Sequence, residues 1–147
     1  MAVVPGSYSK EQRLQIPIVQ SGLHCMTVSG YASFLTPGGD SIKGDPDKDN
    51  TFVPYTVHMV VGPQWLRLHD VCPIVHRAGF IHTDSDEADA TGYTIDSCRW
   101  EEVQSPPPND KFVRIRLIVE LTLQGGSNSW LTRLSFYLTA LGQLADR

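Results

Sequence analysis

The sequence predicts a single all-β domain over residues 1–147, built as an antiparallel β-sandwich of about seven to eight strands, with a small closed β-barrel as the alternative. Three observations lead to this fold class. Apolar residues recur at every second position along most of the chain, which is the period of a half-buried strand. Gly- and Pro-rich turns separate the alternating runs at short intervals. Patterns with the helical period are scarce, which argues against an α-helical or α/β domain.

The first part of the chain, residues 1–12, is predicted to be a flexible or short helical segment. Ser9 and Gln12 have the spacing of a capping box, in which two side chains satisfy free N–H groups at a helix start. This segment has no basic region followed by an apolar stretch, so we expect no signal peptide.

The middle of the chain contains several short alternating runs. Residues 14–19 form the first, and Pro17 places this strand at a sheet edge or at a bend, because proline cannot donate to a ladder of hydrogen bonds. Further strands are predicted at 24–34, 52–61, 65–71, 78–82 and 93–100. Gly62 and Pro63 predict a turn between two of these strands.

The clearest pattern lies near the C-terminal end, where two alternating runs, 111–124 and 130–141, flank the Gly-rich residues 125–128. This arrangement predicts a long antiparallel hairpin. In the expected register Glu120 faces Arg133 and apolar residues face apolar residues, so that cross-strand pairs stabilise the hairpin.

The charge of the chain argues against one class of partner. The 12 basic and 16 acidic residues give a formal net charge of −4, and many acids fall in two stretches, 40–49 and 84–89. General binding to duplex nucleic acid needs a basic face that neutralises phosphates, so we expect no nucleic-acid partner. No apolar run approaches the roughly 18 residues that a membrane-spanning helix needs, so we expect no membrane span.

The cysteines suggest a compartment. Cys25, Cys72 and Cys98 are odd in number and include no C-x-x-C pair. This favours reduced, packed thiols over a framework of disulfides. We therefore predict a cytoplasmic protein.

One acidic stretch has a spacing that metal sites use. Asp45, Asp47 and Asp49 alternate as at the start of an EF-hand loop, whose carboxylates bind calcium. The rest of the loop pattern is absent, since Asn50 stands at the glycine position and Thr56 at the position of the bidentate glutamate. A solvated acidic turn is therefore the favoured interpretation. We expect no cofactor, with calcium at these three aspartates as the alternative.

Catalytic motifs are absent from the sequence. There is no G-x-S-x-G elbow, no Gly-rich phosphate loop and no H-E-x-x-H pair. The chain therefore offers no catalytic residue to assign, and a protein without enzymatic activity is the favoured interpretation.

The mixed face of the predicted hairpin holds the candidate binding residues Arg114, Arg116, Arg133 and Tyr137. Arginine and tyrosine are enriched at protein interfaces, where they supply contact area and directed hydrogen bonds. This face predicts a non-catalytic interaction or assembly module that acts through an exposed sheet face. The expected partner is the protein itself, as a homo-oligomer, or another protein.

Two other functions are compatible with the sequence. In a closed barrel the same face would line a pocket, and Arg116 and Tyr137 would point inward at a small molecule, as in a cyclase or isomerase. A calcium-dependent binding module that uses the acidic loops is the third hypothesis. Each hypothesis requires a different placement of these side chains.

Overall fold

The computed structural model describes residues 2–5, 7–18, 22–33, 42–43, 52–82, 92–124 and 129–145, and these residues form an all-β fold, which confirms the predicted class. Within the described residues the strands are β1 (Ala2–Pro5), β2 (Ser7–Ile18), β3 (Leu23–Ser33), β4 (Ile42–Lys43), β5 (Phe52–His82), β6 (Gly92–Gln104), β7 (Val113–Gln124) and β8 (Ser129–Leu144).

Strand β5 is shared by two parts of the sheet. The main order is β2-β3-β8-β5-β7-β6, with all neighbours antiparallel; β1 also pairs with β5 in parallel, and β4 pairs with β8. Residues 52–61 of β5 pair with β7, whereas residues 65–82 pair with β8. We call residues 52–61 with β7 and β6 the β7 half, and residues 65–82 with β8, β3 and β2 the β8 half.

The core follows directly from the alternation in the sequence. Alternate residues over most of β3, β7 and β8 are buried, and the apolar ones that face the core form one cluster with residues of β5. Its members are Met26, Val28, Ala32, Val57, Met59, Val61, Trp65, Leu68, Val71, Ile115, Leu117, Val119, Leu121, Leu123, Leu131, Leu134, Phe136, Leu138 and Ala140. The cluster therefore contains side chains from both halves of the sheet.

One hydrogen bond joins the two halves of the sheet. Cys98 of β6 and Val75 of β5 both pack against the core, and a hydrogen bond joins Cys98 to the backbone of Val75. Cys98 belongs to the β7 half and Val75 to the β8 half.

The predicted hairpin is wrong, although its faces are buried as expected. β7 and β8 are not neighbours, because β5 lies between them in the sheet. Glu120 lies opposite Thr56 on one side and Ser97 on the other, and Arg133 lies opposite Ser33 and Gly79. An alternating strand matches any neighbour of the same period, so a good fit between two consecutive strands does not show that they pair.

Two local predictions also need correction. The helical alternative for residues 1–12 is wrong, because residues 2–5 and 7–12 lie in β1 and β2, where pairing with β5 and β3 overrides the capping-box pattern. The predicted turn at Gly62 and Pro63 is an irregularity inside the continuous β5 instead. The edge position predicted from Pro17 is confirmed, since β2 ends the strand order.

Close packing of β8 on β5 requires a residue without a side chain at Gly142. A Cβ atom there would lie 2.3 Å from the carbonyl oxygen of Arg67 and 3.1 Å from Cα of Leu68. We expect Gly142→Ala to lower the free energy of unfolding by about 1–3 kcal/mol, because the backbone atoms that a Cβ would contact can move only if the strand itself shifts. Denaturant titration measures this change. Gly92→Ala is the matched control, because nothing lies within 4 Å of its Cβ position, and an equal loss in both variants would contradict the packing argument.

Candidate functional site

The structure does not bring the four sequence-predicted binding residues together. Arg114 and Arg116 lie on β7, whereas Arg133 and Tyr137 lie on β8, and β5 separates the two strands. Arg116 lies opposite Val60 near the middle of β5, while Tyr137 lies opposite Ile74, far along the same strand. The candidate surface therefore divides into two outer faces with different chemistry.

Arg114 stabilises the backbone rather than facing a partner. Its Nε and Nη2 atoms donate to the carbonyl oxygen of Gly62 at 3.2 and 2.7 Å. The N–H of Gly62 donates to Oε1 of Glu11 at 3.1 Å, and the same oxygen accepts from Nε of Arg13 at 2.7 Å. Gly62 has a φ of 77°, a left-handed conformation that favours glycine. Charged side chains thus satisfy both backbone groups of Gly62 where β5 leaves β7.

Removal of Arg114 should therefore affect folding. We expect Arg114→Leu to lower the free energy of unfolding by about 1.5–3 kcal/mol, the usual contribution of hydrogen bonds to a charged group. Arg116→Leu is the matched control on the same strand and should cost about 0–1 kcal/mol, because its ion pair is exposed. Urea denaturation of both variants gives the two values. Equal losses would contradict the structural role of Arg114.

The outer face of the β7 half carries charged side chains that form ion pairs with one another. Nη1 of Arg116 lies 2.7 Å from Oε1 of Glu101, and Arg99 approaches Glu120 at 3.9 Å. Nearby, the carboxylate of Asp96 accepts hydrogen bonds from the hydroxyls of Thr94 and Thr122, at 2.8 and 2.7 Å. Exposed pairs of this kind contribute little stability, and they leave few free charges for a partner.

The outer face of the β8 half is uncharged over two adjacent rows of register partners. One row crosses the strands as Gln12, Ser29, Tyr137 and Ile74, and the next as Leu14, Thr27, Thr139 and Cys72. Leu14, Ile74 and Tyr137 are 62%, 51% and 41% exposed, which is high for large hydrophobic side chains in the body of a sheet. Ile74 and Tyr137 are direct partners, so their Cβ atoms lie about 4.5–5.5 Å apart.

An arginine and a second tyrosine extend this uncharged surface. The guanidinium of Arg133 stacks on the ring of Tyr31 at 4.0 Å from the ring centre, a cation–π contact. Tyr31 pairs with Ser135, one row from Tyr137. We call the two rows, together with Tyr31, Ser135 and Arg133, the Tyr137 face. It combines the residue types that contribute most to binding at protein interfaces.

The structure does not place Arg116 and Tyr137 inside a closed pocket. Both side chains lie on the outer side of the sheet, opposite the side that carries the apolar core residues. At the edge of the Tyr137 face an open cleft of about 400 Å³ is lined by Gln12, Arg13, Leu14, Thr27 and Ser29. This geometry gives no support to the barrel hypothesis in the form that the sequence suggested.

The predicted calcium ligands Asp45, Asp47 and Asp49 lie outside the described residues. In the part of the chain that the structure describes, no group of three or more His, Cys, Asp or Glu side chains could hold a metal ion. Calcium binding by the acidic loop therefore stays a prediction.

The half-buried thiol of Cys98 has a raised pKa. Burial raises the pKa of Cys98, and the hydrogen bond to the backbone of Val75 offsets this in part. A raised pKa lowers the fraction of reactive thiolate at any pH below it. We expect iodoacetamide to modify Cys98 more slowly in the native protein than in the urea-unfolded chain. In the native protein, the rate should rise at a higher pH than it does in the unfolded chain. Peptide mass spectrometry over a pH series measures this, and equal rates would contradict the burial.

Comparison of the chain with protein-family models, curated proteins and solved structures finds no match. Among the described residues, no helix is long and apolar enough to cross a membrane.

Sequence reasoning identified Arg133 and Tyr137 but missed Tyr31 and Ile74, which lie beside them. Tyr31 carried a weak signal, because it precedes the buried Ala32 in an alternating run. Ile74 lies between two half-buried residues and carried none. Their proximity depends on the pairing of β8 with β3 and β5, which the sequence pattern did not indicate.

Proposed function

We propose that the protein is a non-catalytic interaction or assembly module that acts through an exposed sheet face and associates with copies of itself. One observation carries this proposal. Ile74 and Tyr137, which are 51% and 41% exposed, are register partners at the centre of the uncharged rows of the Tyr137 face. Covering such side chains removes apolar surface from water, which stabilises an association by about 25 cal/mol per Å² before the costs of association.

Charge indicates which face a second copy would contact. The protein has a net charge of −4, so two copies repel each other at a distance. A contact through the two uncharged rows adds no like-charge pair at close range, whereas a contact through the β7 half would bring charged side chains together. The Tyr137 face is therefore the better surface for self-association.

We also propose a cytoplasmic location and a partner other than nucleic acid. The free state of Cys25, Cys72 and Cys98 supports the location, because reduced thiols are typical of the cytosol. The excess of acidic residues supports the exclusion of general nucleic-acid binding.

The test is the mass of the protein in solution. Native mass spectrometry and sedimentation should give a multiple of 16.3 kDa for the wild-type chain. Ile74→Asp should raise the dissociation constant at least about tenfold, which corresponds to about 1.4 kcal/mol, because a carboxylate would be buried without a partner.

Leu66→Asp is the matched control. Leu66 lies on the same strand, is also 51% exposed, and precedes Ile74 by eight residues, about 25 Å along the strand. It should leave the mass unchanged. A monomeric wild-type protein at high micromolar concentration would overturn the self-association, and equal weakening by both variants would overturn the choice of surface.

A further inference from the structure

We infer that two copies pack their Tyr137 faces about a two-fold axis that crosses the strands, so that Arg133 of each copy meets Asp70 of the second. The inference rests on the proposed self-association and deepens it by naming the contact that sets its geometry. It depends on where the two charged residues lie relative to Tyr137.

The two charges lie at equal distances on either side of Tyr137. Arg133 precedes Tyr137 by four residues on β8, and Leu141 follows it by four. Asp70 on β5 is the register partner of Leu141. Four residues of a strand span about 13 Å, so a rotation by 180° through Tyr137, about an axis across the strands, exchanges the Arg133 end with the Asp70 end. In a two-fold interface each contact occurs twice, so both charges of each copy are used.

The side chains of Arg133 and Asp70 are both able to form this ion pair between the copies. Arg133 is exposed and stacks on Tyr31 through the face of its guanidinium, and stacking leaves the N–H groups at the edge of that plane able to donate. Asp70 is exposed, and its Oδ1 accepts the N–H of the adjacent Val71 at 2.9 Å. Among the residues that the structure describes, neither side chain forms an ion pair. A carboxylate and a guanidinium can form two parallel hydrogen bonds, which also fix the orientation of the partners.

The charge distribution distinguishes this axis from the other two-fold arrangement. An axis parallel to the strands would place Arg133 against Arg133 of the second copy. That arrangement would therefore bring like charges together at close range. At the opposite end, Arg67 pairs with Gln143, beyond the Asp70 position, and so lies further from Tyr137 than the proposed contact.

The experiment uses charge reversal with mixing. In Arg133→Asp alone, or in Asp70→Arg alone, each copy presents like charges at both contacts, so each variant should associate at least about tenfold more weakly than the wild type. In a 1:1 mixture of the two variants, a heterodimer has opposite charges at both contacts. Native mass spectrometry should then show the mixed species almost exclusively, with a dissociation constant within about threefold of the wild type.

Arg99→Asp and Glu102→Arg are the matched controls, because they make the same changes in net charge at exposed positions of β6 in the β7 half. They should associate as the wild type does, and their mixture should show no preference for the heterodimer. Recovery in the Arg133 and Asp70 mixture also shows that both variants are folded, because an unfolded variant could not pair.

The outcomes separate this inference from the proposed function. A monomeric wild-type protein overturns both. An oligomeric wild type whose mass does not respond to Arg133→Asp or Asp70→Arg leaves the proposed self-association and overturns this geometry. Weakened single variants that do not recover on mixing also overturn it, because they would show a charge effect without the pairing.

Discussion

The architecture depends on the point at which β5 leaves one half of the sheet and joins the other. At Gly62 the backbone has a positive φ, and its two polar groups are bonded to Glu11 of β2 and Arg114 of β7. Two residues later, Nε2 of Gln64 donates to Oγ of Ser105 at 3.5 Å. The backbone carbonyl of Gln64 accepts the N–H of Ala145 at 3.2 Å. Segments that are distant in the sequence therefore converge on one irregularity. The bonds to the backbone groups of Gly62 and Gln64 replace ladder bonds that β5 cannot make there.

This arrangement explains why the two outer faces differ. In the β7 half, oppositely charged residues of β6 and β7 are register partners or lie close by. They form ion pairs with one another on that face. In the β8 half, the second part of β5 brings Ile74 and Cys72 beside Tyr137 and Thr139, and no charge is present in those rows. The long β5 strand thus creates an uncharged surface that neither β5 nor β8 would form alone. The proposed assembly uses that surface. Arg133 and Asp70 at its two ends set the relative orientation of the two copies.

Part of the candidate site could be predicted from the sequence, and the rest could not. Arg133 and Tyr137 were identified because alternation placed them on the polar side of a strand and because their residue types suit an interface. Arg114 satisfied the same criteria, yet it binds the backbone of Gly62. Arg114 differs from Arg133 and Tyr137 because it lies next to a strand irregularity, where a carbonyl has no ladder partner. Residue type and periodicity carry no information on where that irregularity lies.

The sequence by itself determined the class of fold and the buried side of the regularly alternating strands β3, β7 and β8, because the period of a strand and the hydrophobic effect are both local properties of a short run of residues. The alternation in β3, β7 and β8 therefore predicted which of their residues enter the core. Only the tertiary structure decided which strands pair. The runs that became β7 and β8 match each other well, yet β5 separates them, because any alternating strand offers a compatible partner and the choice depends on the packing of the whole chain. The Tyr137 face is a product of that choice, since its central pair joins residues 74 and 137.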